Sequence, residues 1–235
     1  MKNTTLLQAL IIALGIASAG YFIGNTHLRS KAYDRYVQVK GLAEREVAAD
    51  VAIWPLQITL AGNDLSLLQS ELKHQKSEVN NFFRSLGFES DEIGLGPTNI
   101  IDSKAQQYGG NERREFRYFA SSEITVRTNN IDKIQDALDQ SLSLVSKGIL
   151  VSSKNTWQPI EYRFTKLNEI KPEMIEEATM KAKEVAQKFA KDSDSTVGKI
   201  KSASQGLFSI QDRDSNTPHI KKVRVVTTVD YLLEN

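Results

Sequence analysis

The side chains best suited to metal or acid–base chemistry are sparse and scattered along this sequence. Its three histidines are His27, His74 and His219. None has a second metal-binding residue at ligand spacing, so we predict surface histidines rather than a metal site. Glu173, Glu176 and Glu177 could supply paired carboxylates for acid–base catalysis. Because Glu177 precedes Lys181 by four positions, we predict instead the solvated face of a helix.

Whole classes of chemistry are excluded by composition. The chain has no cysteine, which excludes disulfides, a thiol nucleophile and thiolate metal ligands. No G-x-S-x-G, P-loop or G-x-G-x-x-G sequence occurs. The 30 basic and 29 acidic residues give a net charge of +1, so no bulk attraction to nucleic acid is expected. We therefore predict no catalytic, cofactor-binding or metal-binding residues, no cofactor and no nucleic-acid partner.

Three short segments could instead contact a partner. Trp54-Pro55 and Trp157-Gln158-Pro159 place a tryptophan beside a proline on extended chain, which is typical of a core position or of an interface anchor. Trp54 and Trp157 are therefore our candidate interface residues. The basic run Lys221-Lys222-x-Arg224 could touch anionic lipid or nucleic acid, but more often such a run protects a sheet edge.

Hydrophobic periodicity predicts an α+β fold built on an antiparallel sheet. From Val47 to Phe164 the predicted order is β-α-β-β-α-β, the ferredoxin-like order. Asp64 and Asn130 are expected to cap the two helices, which end at Gly87 and Gly148. Alternation between Phe116 and Arg127 predicts a strand with one wet face.

Further elements flank this core. A short strand is predicted at Tyr36–Gly41, and Pro55 favours an edge position or a bulge in the strand that follows. A third helix has Pro172 in its first turn. Its predicted apolar stripe is Ile175, Ala178, Ala182, Val185, Ala186 and Phe189. Strands are predicted again at 200–209 and 220–233.

The N-terminus carries an uncharged apolar run from Leu6 to Ile23. Its 18 residues would reach about 27 Å as a helix, close to the hydrocarbon thickness of a bilayer. An uncleaved membrane anchor is one interpretation. A signal peptide with the small-residue site Ala17-Ser18-Ala19 is the other. Both interpretations place the rest of the chain outside the cytoplasm.

Ordered motifs over residues 36–233 resemble the SIMPL domain family, mostly exported bacterial proteins with animal relatives. The motifs are Val37-x-Val39-x-Gly41, Ala49-Asp50-Val51-Ala52, Tyr118 through Ile124-Thr125-Val126, Ala178-x3-Ala182-x3-Ala186-x2-Phe189-Ala190 and Thr196-Val197-Gly198-Lys199-Ile200. Ala49 departs from the proline usual in the family. The resemblance implies an α+β domain, an envelope location, self-assembly and no enzyme activity. It also implies an association with envelope or oxidative stress in bacterial relatives and with adaptor signalling in the animal one.

These observations predict three parts: an anchor or signal peptide at 1–24, a linker at 25–35 and a SIMPL-like domain at 36–235. The expected protein is a non-enzymatic periplasmic homo-oligomer, anchored to the inner membrane through residues 6–23. The alternative location is soluble periplasm after cleavage near Ala19. Two alternative functions stay open. One is an adaptor presenting a sheet edge or the Trp-Pro segments to an envelope protein. The other is an enzyme built around Tyr108, Tyr118 or Tyr162.

Overall fold

The computed structural model describes residues 12–21, 35–105, 115–153 and 160–234. The predictions for Trp157, Tyr108, His27 and nearly all of the linker lie outside these ranges. The strands are β1 (Tyr36–Ala48), β2 (Val51–Gly62), β3 (Ile93–Asp102), β4 (Tyr118–Thr128), β5 (Val151–Ser153), β6 (Glu161–Arg163), β7 (Thr196–Gln205), β8 (Ser209–Asp212) and β9 (Ile220–Glu234). The helices are α1 (residues 12–21), α2 (Leu65–Ser85), α3 (Ile131–Gln140), α4 (Leu142–Ser146) and α5 (Leu167–Asp192).

The fold is α+β with antiparallel pairing, as predicted, and it separates into two compact units. Unit 1 comprises Met1–Arg45, Asn168–Ser209 and Val223–Asn235. Unit 2 comprises Glu46–Leu167 and Ile210–Lys222. Each unit therefore combines segments that are distant in the sequence, so neither could be recognised as one continuous stretch of chain.

The sheet of unit 2 has the strand order β3-β4-β2-β5, and β6 also pairs with β2. In chain order this is the second, third, first and fourth strand, which is the ferredoxin-like arrangement. The predicted βαββαβ core is thereby confirmed. Asp64 caps α2 by accepting hydrogen bonds from the amides of Ser66 and Leu67 at 2.8 and 3.0 Å. Asn130 caps α3 through the amide of Lys133 at 3.2 Å.

The core of unit 2 is centred on the fully buried ring of Phe83 in α2. Its ring packs edge-on against Trp54, Phe82 and Phe88, with centroids 5.8, 5.1 and 5.3 Å away. On β4 the predicted alternation holds, because Ala120, Ser122, Ile124 and Val126 are all buried. The aromatic cluster and the inward face of β4 therefore belong to one continuous core.

Unit 1 contains α5 and most of a second sheet, in which β9 lies between β1 and β7 and also pairs with β8. The α5 residues buried in this unit recur every fourth position. They are Met174, Ala178, Ala182, Ala186 and Ala190. The predicted stripe was therefore partly wrong: Val185 is 40% exposed and Phe189 is 58% exposed. Because an α-helix has about 3.6 residues per turn, buried residues at every fourth position form a face that turns slowly around the helix. Val185 and Phe189 lie outside that buried face.

Three other expectations need correction. Pro55 lies in the central strand β2, with unbroken pairing to β4, and not at an edge or a bulge. The missing amide is tolerated because Pro55 lies between the residues of β2 that pair with β6, 51–53, and those that pair with β5, 56–58. The basic run 221–224 lies in β9, which is also central, so it protects no edge. Pro172 is the sixth residue of α5 and not in its first turn.

Helix α1 falls inside the apolar N-terminal run. All ten of its residues are exposed. Among the helices of the described ranges, none is both long and apolar enough to cross a membrane.

Candidate functional site

Trp54 is a core residue of unit 2. It is 5% exposed, and its indole N–H is buried without a hydrogen-bond partner. A buried N–H without a partner costs about 1 to 3 kcal/mol, so Trp54 stabilises this core through its apolar contacts alone. The structure thus shows the core alternative for Trp54. The interface role of Trp157 stays a prediction.

Three of the charged residues named in the sequence analysis, Glu173, Glu177 and Lys221, form ion pairs. Glu177 accepts from Lys181 at 2.6 Å, which confirms the predicted pair on α5 and lowers the pKa of Glu177. Arg45 Nη1 lies 2.7 Å from Glu173. Lys221, the first residue of the basic run, is 5% exposed and donates to Asp212. These side chains are therefore engaged in structural contacts.

Residues of the family motifs make contacts between segments of backbone that are distant in the sequence. In unit 1, a Cβ added at Gly41 would stand 1.8 Å from the carbonyl oxygen of Ala178 and 2.6 Å from the amide nitrogen of Ala182. The glycine of the first motif thus meets the alanines of the helix motif. In unit 2, Asp50 accepts from the amide and the hydroxyl of Thr165 at 2.8 and 2.9 Å. These motif residues therefore have structural roles.

Strand β7 and the residues that follow it form an exposed segment of unit 1. All nine residues from Lys199 to Leu207 are exposed. We call Lys199–Leu207 the exposed strand. Within the described chain, β7 pairs with β9 alone, so its other edge lies open. Ile200 is 52% exposed and Leu207 is 96% exposed. A strand with both faces and one edge in solvent gains little from packing within its own chain.

Polar side chains converge elsewhere, in a cleft of unit 2 with a volume of about 790 Å³. We call this site the cleft. It is lined by α3, by the residues around β6 and by the loop between β8 and β9. Its polar lining is Gln135, Asp139, Tyr162, Asp212, Ser215, Asn216 and His219. Leu138, Ile160 and Pro218 form its apolar lining. Such a volume lies within the range of small-molecule sites.

The aromatic wall of the cleft is Tyr162, one of the three tyrosines named above. Tyr162 is 7% exposed, and burial raises the pKa of its hydroxyl. The ring of His219 lies 6.0 Å from it, centroid to centroid, at an interplanar angle of 66°. His219 is thus half-buried beside the cleft, whereas His74 is exposed on α2, as predicted. No local pattern predicts that residues 162 and 219 meet, because 57 positions separate them.

One acidic side chain organises the loop at the cleft. Asp214 accepts from the amides of Asn216 and Thr217 at 2.9 and 2.8 Å and pairs with Arg213 Nε at 3.0 Å. The hydrogen bond from the Thr217 hydroxyl, the pair with Arg213 and, to a smaller extent, the two amide bonds lower the pKa of Asp214 to about 2. The carboxylate therefore stays ionised across the ordinary pH range, and the loop keeps its hydrogen bonds.

Comparison with known proteins gives one family. The family model described as "SIMPL: Protein of unknown function (DUF541)" matches residues 37–229. A search of curated proteins found no match.

Proposed function

Because the chain belongs to the SIMPL family, we propose that it is a non-enzymatic, self-assembling protein of the cell envelope, anchored to the inner membrane and facing the periplasm. The exposed strand carries the assembly part of this proposal. The apolar run Leu6–Ile23 carries the location. We also propose a role in envelope or oxidative stress, which the family resemblance described above implies.

Two observations support the anchor. The sequence has no charged residue between Leu6 and Ile23. In α1, Ile12, Leu14 and Ile16 are 61%, 60% and 68% exposed. Apolar side chains of this size gain roughly 1.5 to 3 kcal/mol each when they leave water, and lipid provides such surroundings.

The anchor is tested by the mass of the mature protein in fractionated cells. We expect an intact chain that starts at Met1 in the inner-membrane fraction. A chain that starts near Gly20 in the soluble periplasm would show signal cleavage and overturn the anchor. Recovery in the cytoplasm would overturn the envelope location altogether.

Self-assembly is supported by the surface that unit 1 leaves uncovered. Single exposed apolar residues are common in monomers, but a strand exposed on both faces is not explained by that tendency. The edge of β7 carries Lys199 and Lys201, and its pairing with β9 shifts register twice. Both features discourage indiscriminate strand pairing. We therefore assign the contact to the side chains Ile200 and Leu207, with a second copy of the chain as occupant.

Leu207→Ser tests this assignment in the full chain, purified in detergent micelles. Since Leu207 is 96% exposed, the substitution should leave folding unchanged. Burying a leucine is worth about 1.5 to 3 kcal/mol, so we expect the dissociation constant of the oligomer to rise at least about tenfold. Light scattering over a dilution series measures this constant.

The matched control is Leu67→Ser, because Leu67 is 69% exposed on α2 of unit 2. It should associate as the unchanged protein does. An unchanged protein that is monomeric at every concentration contradicts self-assembly. Equal effects of the two substitutions contradict the assignment to the exposed strand. Capture of an envelope protein by a monomeric chain, lost in Leu207→Ser, would favour the adaptor alternative.

A further inference from the structure

The cleft has an acidic lining that plays no part in the proposed self-assembly. The side chains lining it include two carboxylates, Asp139 and Asp212, while none of its described lining residues is a lysine or an arginine. Asp212 is paired with Lys221. The Asp139 carboxylate makes no ion pair or hydrogen bond with any described residue. A ligand cation could therefore pair with the Asp139 carboxylate without displacing a cation of the protein.

Tyr162 is the second observation that points to a ligand. Its side chain is more than nine-tenths buried and lines the cleft, yet its hydroxyl has no hydrogen-bond partner among the described residues. The cleft thus offers a fixed aromatic ring and a hydroxyl ready to accept a hydrogen bond.

The shape of the cleft is held in place before any ligand binds. The loop that supplies Asn216 and His219 is closed by backbone bonds from Arg213 to Ile220 and from Ile220 to Thr217, both 2.9 Å long. Asp214 adds its own bonds to the same loop. A preformed site loses less entropy on binding than one that must first be ordered.

We propose that the cleft binds a small amine in its ammonium form, with the ammonium group at Asp139 and the apolar body against Tyr162 and Leu138. Carboxylate and aromatic face together are the groups that recognise organic cations. Anions are disfavoured, because they would approach the Asp139 carboxylate with no lysine or arginine among the described lining residues. A divalent metal is a poorer fit, since no group of three histidine or acidic residues within the described ranges could hold one.

The probe for this proposal is phenethylammonium, titrated into the full chain in detergent micelles at pH 8. Amide chemical shifts of Gln135, Asn216 and His219 report binding at the cleft. Two compounds of similar shape serve as controls, neutral 2-phenylethanol and anionic 3-phenylpropionate. A hydrogen bond to a charged group strengthens binding more than a neutral one does. We therefore expect phenethylammonium to bind at least about tenfold more tightly than the alcohol. The anion should bind more weakly than either.

Asp139→Asn should lower the affinity of the cleft for phenethylammonium about tenfold, because it removes the charge and keeps the shape of the side chain. Asp136→Asn is the matched control, since Asp136 is also exposed on α3 but does not line the cleft. It should leave the affinity unchanged. Partition of each probe into micelles is the same for all three proteins, so it does not affect this comparison.

Three results would overturn the proposal: equal affinity for the amine and the alcohol, equal effects of the two substitutions, or no shift at the cleft amides up to the solubility limit. Tyr162→Phe provides a further check, because it removes only the hydroxyl. Because the ammonium group would also donate a charge-assisted hydrogen bond to that hydroxyl, the substitution should lower the affinity for the amine more than the affinity for the alcohol. Oligomer size is measured in parallel, so that failure of the cleft and failure of assembly are distinguished.

Discussion

Gly41→Ala is expected to destabilise the protein by about 3 kcal/mol, near the upper end of the usual cost of overpacking. The added methyl would stand 1.8 Å from the Ala178 carbonyl oxygen, closer than any real contact. Backbone atoms of α5 cannot rotate away as a side chain could. The helix must therefore shift away from β1, which would loosen its packing in unit 1.

Gly62→Ala is the matched control for this glycine. A Cβ there would lie 3.5 Å from the nearest atom, Leu68 Cδ1, at ordinary contact distance. Thermal unfolding of both variants, followed by circular dichroism in micelles, measures the difference. If the two substitutions shift the midpoint equally, the close approach between Gly41 and α5 is not what stabilises unit 1.

Phe83→Ala is expected to cost about 3 to 5 kcal/mol, the range typical of truncating a buried phenylalanine. Phe83 is fully buried, and three other aromatic rings pack edge-on around it. Alanine would leave a cavity that these rigid rings could fill only in part. The expected result is a lower urea midpoint for unit 2, with the fluorescence of Trp54 changing in the same transition.

Leu67→Ala serves as the control for the same helix. Leu67 is 69% exposed, and alanine is a good helix former, so its effect should stay within about 0.5 kcal/mol. Because Trp157 also emits, both variants are compared in a Trp157→Phe background. A loss below about 1.5 kcal/mol for Phe83→Ala would show that the aromatic cluster collapses around the cavity and is less rigid than its geometry indicates.

The two proposals concern different units, so each can be tested without affecting the other. Assembly rests on Ile200 and Leu207 in unit 1, and amine binding rests on Asp139 and Tyr162 in unit 2. Leu207→Ser should therefore leave phenethylammonium binding unchanged. Asp139→Asn should likewise leave oligomer size unchanged.

Local signals in the sequence were sufficient to predict the ferredoxin-like core. Asp64 and Asn130 cap helices through atoms only two or three residues away, and the alternation in β4 shows which side chains face inward. Gly87 and Gly148, with φ of +83° and +75°, end helical segments where a glycine is favoured. Such signals act within one element, so one sequence is enough to interpret them.

The strand neighbours, the exposed residues of α5 and the cleft depend on pairing between distant segments. No short stretch of the sequence predicts such pairing. Pro55 occupies a central strand because the partner of β2 changes there, and the basic run lies in a central strand because β1 and β7 flank β9. Val185 and Phe189 have the apolarity and spacing of core residues, but exposure depends on what packs against the helix. The cleft joins α3 to β6 and to residues 212–219. The apolar run at Leu6–Ile23 and the family motifs were thus visible in the sequence alone, whereas the exposed strand and the cleft exist only in the folded chain.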